Sequence, residues 1–404
     1  MVKKNESLLT ELKVSHHNFT FIGKARVNDD SFKGASNKEG KTWYHVNSNF
    51  GVETTAGNIV YPRIWGGYKL DNPILMVQSK QKGERITIPY EHRNKKELLK
   101  NVADYSFMTA GIEQEENGRV IYHKFIDSID FENYLSEHLK DGMDIKVIGS
   151  VDYSPGKEEG QVYTNYDISG VYLNREYEKD GKTFPKQEPR ATLYQAYLAD
   201  DSTLEKGWEK QFKKDGEIAI QLYVPQYLSQ IRNEQGTFVN WKKTSPVVQT
   251  VTFKDTMAKD VDSAIKFLGG LLKVKSGVVR EISMYVDIVD GYQEQEMKEY
   301  GVSDEMKYLI DMGIITEDEI ESQMTVRKTR VRENVYRTVS VTKGEDGSPV
   351  IESFDKYEEG VLVMPSFDDG DEEDNTSFND DEEESFEEPD TEIPTEVDFD
   401  GLFN

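Results

Sequence analysis

Between Asn58 and Gly66 a strand-like alternation sets Val60 and Ile64 on one side and Tyr61, Arg63 and Trp65 on the other. A ring, a guanidinium and a second ring in a row make a surface on which unstacked bases can lie while the cation meets phosphate. The competing reading is structural: Tyr61 and Trp65 face a second core layer, and Arg63 snorkels outward. Trp43, Tyr44 and His45 precede the triplet and Lys69, Lys80, Lys82 and Arg85 follow it, which favours the binding surface. A second candidate is Trp241 with Lys242 and Lys243, in a hairpin-like stretch from Phe238 to Lys243, where a base platform and an ordinary packed Trp both stand. A third is the run from Val326 to Val341. Its alternation puts Lys328, Arg330, Arg332 and Tyr336 on one side, and Val331, Val335, Val339 and Val341 on the other; counting Arg327, four cations fall within six residues. The plainer account of that run is a solvated edge strand guarded by charge.

Residues for other chemistry are sparse. The absence of cysteine excludes a disulfide scaffold, a thiolate metal site and a thiol nucleophile. There is no Gly-rich phosphate loop and no helical pair of His at zinc spacing. His16 and His17 are adjacent, while His45, His92, His123 and His138 are scattered over segments of different predicted type. Carboxylates are too abundant to single out a catalytic pair, so a metal-dependent nuclease has no supporting pattern. The expectation is a stoichiometric binder, not an enzyme, with no cofactor and no metal.

The elements that would position these residues follow a β-rich order. After a short arm at 1–14 with Leu8, Leu9 and Leu12, strands are predicted at Phe19 to Val27 and Trp43 to Val52. Asp130 is read as the cap of a short helix with Phe131, Leu135 and Leu139 in one stripe, ended by Asp141 and Gly142. Strands at Ile145 to Tyr153 and Gln161 to Leu173 follow. Several strands, a short helix and two more strands is the order of an OB barrel. The insertion between Ile88 and Val120 is long for that fold, and its Lys95, Lys96 and Lys100 suit a helical cover or a basic flap.

A charged stretch with Gly181, Pro185 and Pro189 marks a boundary, after which the order recurs. Strands at Ala191 to Ala199, Glu217 to Val224 and Val247 to Phe253 lead to a helix from about Met257 to Leu268. A strand from Val278 to Val289 puts Val278, Ile282, Met284, Val286 and Ile288 on one face. Thr316 and Glu319, flanked by Ile315 and Ile320, have the spacing of a capping box with its hydrophobic staple. The fold expected is mainly β with α: OB barrels, two in tandem, a small helical unit and an acidic disordered tail. The divisions are 1–14 arm, 15–175 first barrel with insertion, 190–292 second barrel, 293–342 helical hairpin and basic strand, 343–366 linker, 367–404 tail.

The tail is the most one-sided part of the chain. Residues 367–404 hold eighteen Asp or Glu and no Lys or Arg. Such a segment cannot offset the entropy of ordering by burying apolar surface. Without those eighteen, 58 acids stand against 49 Lys and Arg, so the net charge of −27 shrinks to about nine negative charges on the body. A body so nearly balanced can bind nucleic acid if its cations share a face. No apolar run approaches the ~18 residues of a membrane span, and Met1 to Thr10 lacks a signal-peptide core, so a soluble cytoplasmic protein is expected.

The tail ends in Asp398, Phe399, Asp400, Gly401, Leu402, Phe403 and Asn404, an apolar tip on an acidic string. With the acidic run Asp380 to Glu384, this tip resembles the tails of the single-stranded DNA-binding proteins of bacteria and their phages, phage versions above all. It departs from them in ending on Asn404, one residue past the last Phe. The resemblance implies an OB-fold body that coats and protects single-stranded DNA in phage replication and recombination inside an infected bacterial cell. It also implies that Asp398, Phe399, Asp400, Leu402 and Phe403 dock a polymerase, helicase or recombinase. The alternative is an interaction or structural protein whose acidic tail mimics nucleic acid and fills a basic site on its partner.

Overall fold

The computed structural model describes residues 8–293 apart from 38–40, 56, 156–161, 180–181 and 233–236, then residues 310, 312 and 329–362 apart from 345–346. Alternating bulky residues build the first circuit of strands. β1 (His17–Arg26) turns Phe19, Phe21 and Ala25 into the core. β2 (Trp43–Asn49) and β3 (Gly51–Thr55) are one strand bent at Phe50, and β4 (Asn58–Val60) with β5 (Arg63–Lys69) is the next. An insertion follows: the hairpin of β6 (Ile74–Gln78) and β7 (Arg85–Pro89), the one-turn α1 (Lys96–Leu99), and the hairpin of β8 (Met108–Gln114) and β9 (Val120–Phe125). Then come α2 (Ser128–His138), β10 (Asp144–Pro155) and β11 (Val162–Leu173).

Pairing closes the circuit. β1 pairs β3 and β10, β2 pairs β5, β3 pairs β4 and β10 pairs β11, all antiparallel, while β5 and β11 run parallel. That is the OB barrel, with α2 lying between its third and fourth strands.

The small hairpin of β12 (Tyr177–Lys179) and β13 (Lys182–Phe184) leads into a second circuit. It consists of β14 (Arg190–Ala199), α3 (Trp208–Asp215), β15 (Glu217–Arg232), β16 (Phe238–Lys254), α4 (Val261–Leu272), β17 (Val278–Gln293) and β18 (Thr329–Val339). β14–β15, β15–β16, β17–β18 and β14–β17 are antiparallel and β16–β18 is parallel, so the same connectivity appears twice. Beyond β18, β19 (Val341–Lys343) pairs β20 (Pro349–Ile351), and β21 (Ser353–Glu358) is added to β17.

The barrels share more than a linker. β1 pairs β14 antiparallel from His17 opposite Gln195 to Ile22 opposite Arg190, and one continuous hydrophobic core runs through both circuits. A second, small cluster of Leu198, Val279, Tyr357 and Val361 receives Leu9 and Leu12 of the N-terminal arm, and Leu9 bridges Tyr357.

Several expectations need correction. The basic strand is not part of a separate unit: it is the fifth strand of the second barrel, a long-range pairing that no local pattern encodes. Residues 353–358, placed in a linker, form β21, and Tyr357 there is fully buried. The cap of α2 is Asp127, whose carboxylate accepts from the Asp130 backbone N–H at 3.1 Å; Asp130 instead holds Arg93 at 2.7 and 3.0 Å. α4 begins later than expected, at Val261, with Asp260 capping Ser263. The stretch from Phe238 to Lys243 and the strand at Val247 to Phe253 are a single strand, β16. The predicted helix at Thr316, Lys328 and the whole acidic tail lie outside the described residues.

Candidate nucleic-acid interface

The outer face of β2 and β5 is the place where an OB barrel receives a strand of nucleic acid. Antiparallel register sets Trp43 opposite Lys69, His45 opposite Gly67, Asn47 opposite Trp65 and Asn49 opposite Arg63. Val46 and Ile64 are buried beneath them, so the predicted alternation is correct. Trp65 is 52% exposed, and its ring centroid lies 6.4 Å from that of Trp43 with the planes 33° apart. Two tilted indoles on one sheet face, with no side chain on Gly67 beside them, make a stacking surface. Gly67 is required there: a Cβ would fall 2.1 Å from the Tyr44 carbonyl oxygen.

α2 holds this surface from behind. Ser128 Oγ donates to the Trp65 carbonyl at 3.1 Å, and Gly66 leaves room for it, since a Cβ would come within 2.4 Å of that hydroxyl. Glu132, almost fully buried, accepts from Ser48 Oγ and from the Gly34 N–H, each at 3.0 Å. One carboxylate thus ties β2 and the loop between β1 and β2 to the helix. Asp127 also accepts from the Tyr90 hydroxyl at 3.0 Å, and burial raises its pKa.

Arg63 does not have the freedom expected of a phosphate ligand. Its Nε and Nη2 meet the two carboxylate oxygens of Asp167 on β11 at 2.5 and 3.2 Å, and Asp152 on β10 stands 4.0 Å away. Its guanidinium carbon sits 5.7 Å from the centroid of the Trp65 ring. Burial first, and the charge of Asp167 second, raise the pKa of Asp152. Gln226, on the long hairpin of the second barrel, donates to Asp152 at 3.2 Å.

The other expected residues divide. Tyr61 is 55% exposed and borders a shallow cleft with Arg26, Asn28 and Asn49. Tyr44 is on the opposite face: it packs on the core, 5.5 Å ring to ring from Tyr68, which corrects its assignment to the binding surface. Lys69 is exposed at the end of β5, whereas Lys80, Lys82 and Arg85 are exposed around the turn joining β6 and β7.

Trp241 and Lys242 occupy a bulge in β16, where Leu228 pairs Lys243 and Gln230 pairs Asn240, and Lys242 takes a φ of 47°. Trp241 donates to Ser245 Oγ at 2.6 Å and carries Lys243 over its ring at 5.7 Å. The basic strand departs from the expectation at Tyr336; Arg332 is exposed and Val339 packs on the core. Tyr336 pairs Val286 and stacks on Phe253 at 5.0 Å, inside the second barrel. Arg332 lies 3.9 Å from Asp290, and burial pushes the pKa of Tyr166 in the first barrel up to about 12, against the opposing charge of Arg332. Arg330 is in the same strand.

Sequence reasoning missed Asp152, Asp167, Glu132 and Gln226, because a carboxylate or amide that serves a neighbour looks like any other in an acidic chain. It also separated His123 and His138, yet each has a ring nitrogen 3.2 Å from Glu113. Tyr134 donates to Glu113 at 2.7 Å, and that bond, ahead of the two imidazoles, lowers the carboxyl's pKa. Among the described residues no group of His, Cys, Asp and Glu could hold a metal ion, and no helix is long and apolar enough to cross a membrane.

No family model matches the sequence, and no curated protein does. Crystal structures of the single-stranded DNA-binding protein from Thermus aquaticus, wild type and a deletion mutant, align over 69% of this chain. The mutant aligns over 88% of its own length at 10% identity and a TM-score of 0.26, the wild type over 87% at 9% and 0.27. At such scores the likeness carries no argument, and the fold rests on the strand pairings.

Proposed function

We propose that the chain is a single-stranded DNA-binding protein of the phage type, which coats and protects the strand without cleaving it. The observation that carries this reading is the pair of indoles, Trp43 and Trp65, 6.4 Å apart on the outer face of the second and third strands of an OB barrel. Exposed Lys69 and the cations of the β6–β7 turn supply charge for phosphates. The acidic tail adds a docking peptide: Phe399, Leu402 and Phe403 recruit a replication or recombination protein. Oligo-dT titrated into the full chain quenches tryptophan fluorescence at low salt, and the quenching weakens as salt rises. A chain that neither quenches nor retards labelled oligo-dT at low salt ends this reading. It leaves the alternative, a tail that mimics nucleic acid on a partner's basic site.

A further inference from the structure

We infer that Arg63 is a positioning residue for the Trp65 platform and not a phosphate ligand, with Asp167 as its anchor and Asp152 as its outer brace. The inference rests on the DNA-binding reading above. The guanidinium is engaged side-on by both oxygens of Asp167, at 2.5 and 3.2 Å, and Asp152 stands at 4.0 Å. One cation between two carboxylates leaves a local charge of about minus one, which repels a phosphate instead of attracting it. The side chain is only 25% exposed, its guanidinium carbon is 5.7 Å from the indole centroid, and Trp65 itself is 52% exposed. The guanidinium therefore fixes the ring while leaving much of the indole open to a base. The brace reaches beyond the first barrel, because Gln226 of β15 donates to Asp152 at 3.2 Å. The seating of the platform is in this way tied to the hairpin of the second barrel.

The two roles of Arg63 predict opposite signs at Asp167. If Arg63 only positions, Asp167→Asn frees the guanidinium, loosens the indole and weakens binding, although it removes a negative charge from the groove. If Arg63 is a restrained phosphate ligand, the same change releases it and tightens binding. The experiment measures binding of labelled oligo-dT to the full chain by anisotropy over a series of salt concentrations. It compares wild type, Arg63→Gln, Arg63→Lys and Asp167→Asn, with circular dichroism checking the fold of each.

Positioning predicts that Arg63→Gln and Asp167→Asn each weaken binding roughly five- to tenfold at every salt concentration, with the slope of log K on log salt unchanged. Arg63→Lys does not restore affinity, because an ammonium cannot engage Asp167 through two nitrogens. A slope smaller by about 0.7 in Arg63→Gln, tighter binding by Asp167→Asn, or no effect of either overturns the inference. Should Asp167→Asn fail to fold, Arg63→Gln decides alone: weaker binding with an unchanged salt slope supports positioning, and a slope smaller by about 0.7 overturns it. Wild type that does not bind oligo-dT at all refutes the DNA reading itself, whereas wild type that binds beside an Asp167→Asn that binds tighter refutes only the role of Arg63.

Discussion

Trp65 is held at its carbonyl by Ser128 and at its ring by Arg63, so a base that stacks on it meets a surface whose ordering cost is already met. Trp65→Ala is expected to lower oligo-dT affinity by ~1 to 3 kcal/mol, measured by anisotropy. Tyr44→Ala, on the opposite face, lowers the melting temperature instead. A second residue acts on stability through pH. His17 is buried at the junction of the barrels, donates Nε2 to the Pro225 carbonyl at 2.8 Å, and burial lowers its pKa from 6.5 to about 4. The unfolded chain takes up the proton below about pH 6.5 and the folded chain only near 4, so stability falls as pH drops through that window, by up to roughly 3 kcal/mol. His16 is shifted the same way. Denaturant unfolding of His17→Gln, which keeps a donor and does not titrate, is expected to show a flatter loss of stability between about pH 7 and about pH 5.

Among the elements, α2 decides whether the platform exists, because its first two turns carry Ser128 and Glu132. Asp127→Ala removes the cap and the partner of the Tyr90 hydroxyl, and thermal melts are expected to show a loss of about 2 kcal/mol together with weaker oligo-dT binding. The strands β4, β5 and β17 were legible in the sequence, since burial on one side imposes period two on Val60 and Ile64 and on Ile282, Met284, Val286 and Ile288. β18 was misread for a physical reason. Alternation separates two faces without saying which is inward, and a register shift opposite Tyr285 and Val286 changes the parity within the strand. Tyr336, grouped with the cations, therefore packs half-buried against the core, and Arg332 lies 3.9 Å from Asp290. Arg63 failed differently: its outward face was right, but Asp167 is 104 residues away and only the closed barrel brings the two together.

At the scale of the whole molecule, the β1–β14 ladder and the shared core make one cooperative unit, so calorimetry is expected to show a single transition and not one for each barrel. Deleting residues 367–404 is expected to tighten oligo-dT binding at low salt, with a smaller gain at high salt, because eighteen negative charges no longer compete with the DNA for the exposed cations of the body. The ladder also has a directional meaning. β1 and β14 are the first strands of their barrels and run antiparallel, Thr20 facing Thr192, which relates the barrels by an approximate half-turn. Nucleic acid has chemical polarity, 5′ to 3′, and a half-turn reverses it. A strand laid straight across both outer faces would meet the first barrel in one sense and the second in the opposite sense, so the faces cannot be equivalent halves of one track. Their surfaces agree: where the first barrel has Trp65 opposite Asn47, the second has Gln221 opposite Thr250 and Tyr223 opposite Val248, with Tyr223 packed against the cluster that receives Leu9 and Leu12. Polarity thus gives a reason for the paired indoles to stand on one barrel only, while on its twin Tyr223 is packed against the cluster of Leu9, Leu12, Tyr357 and Val361.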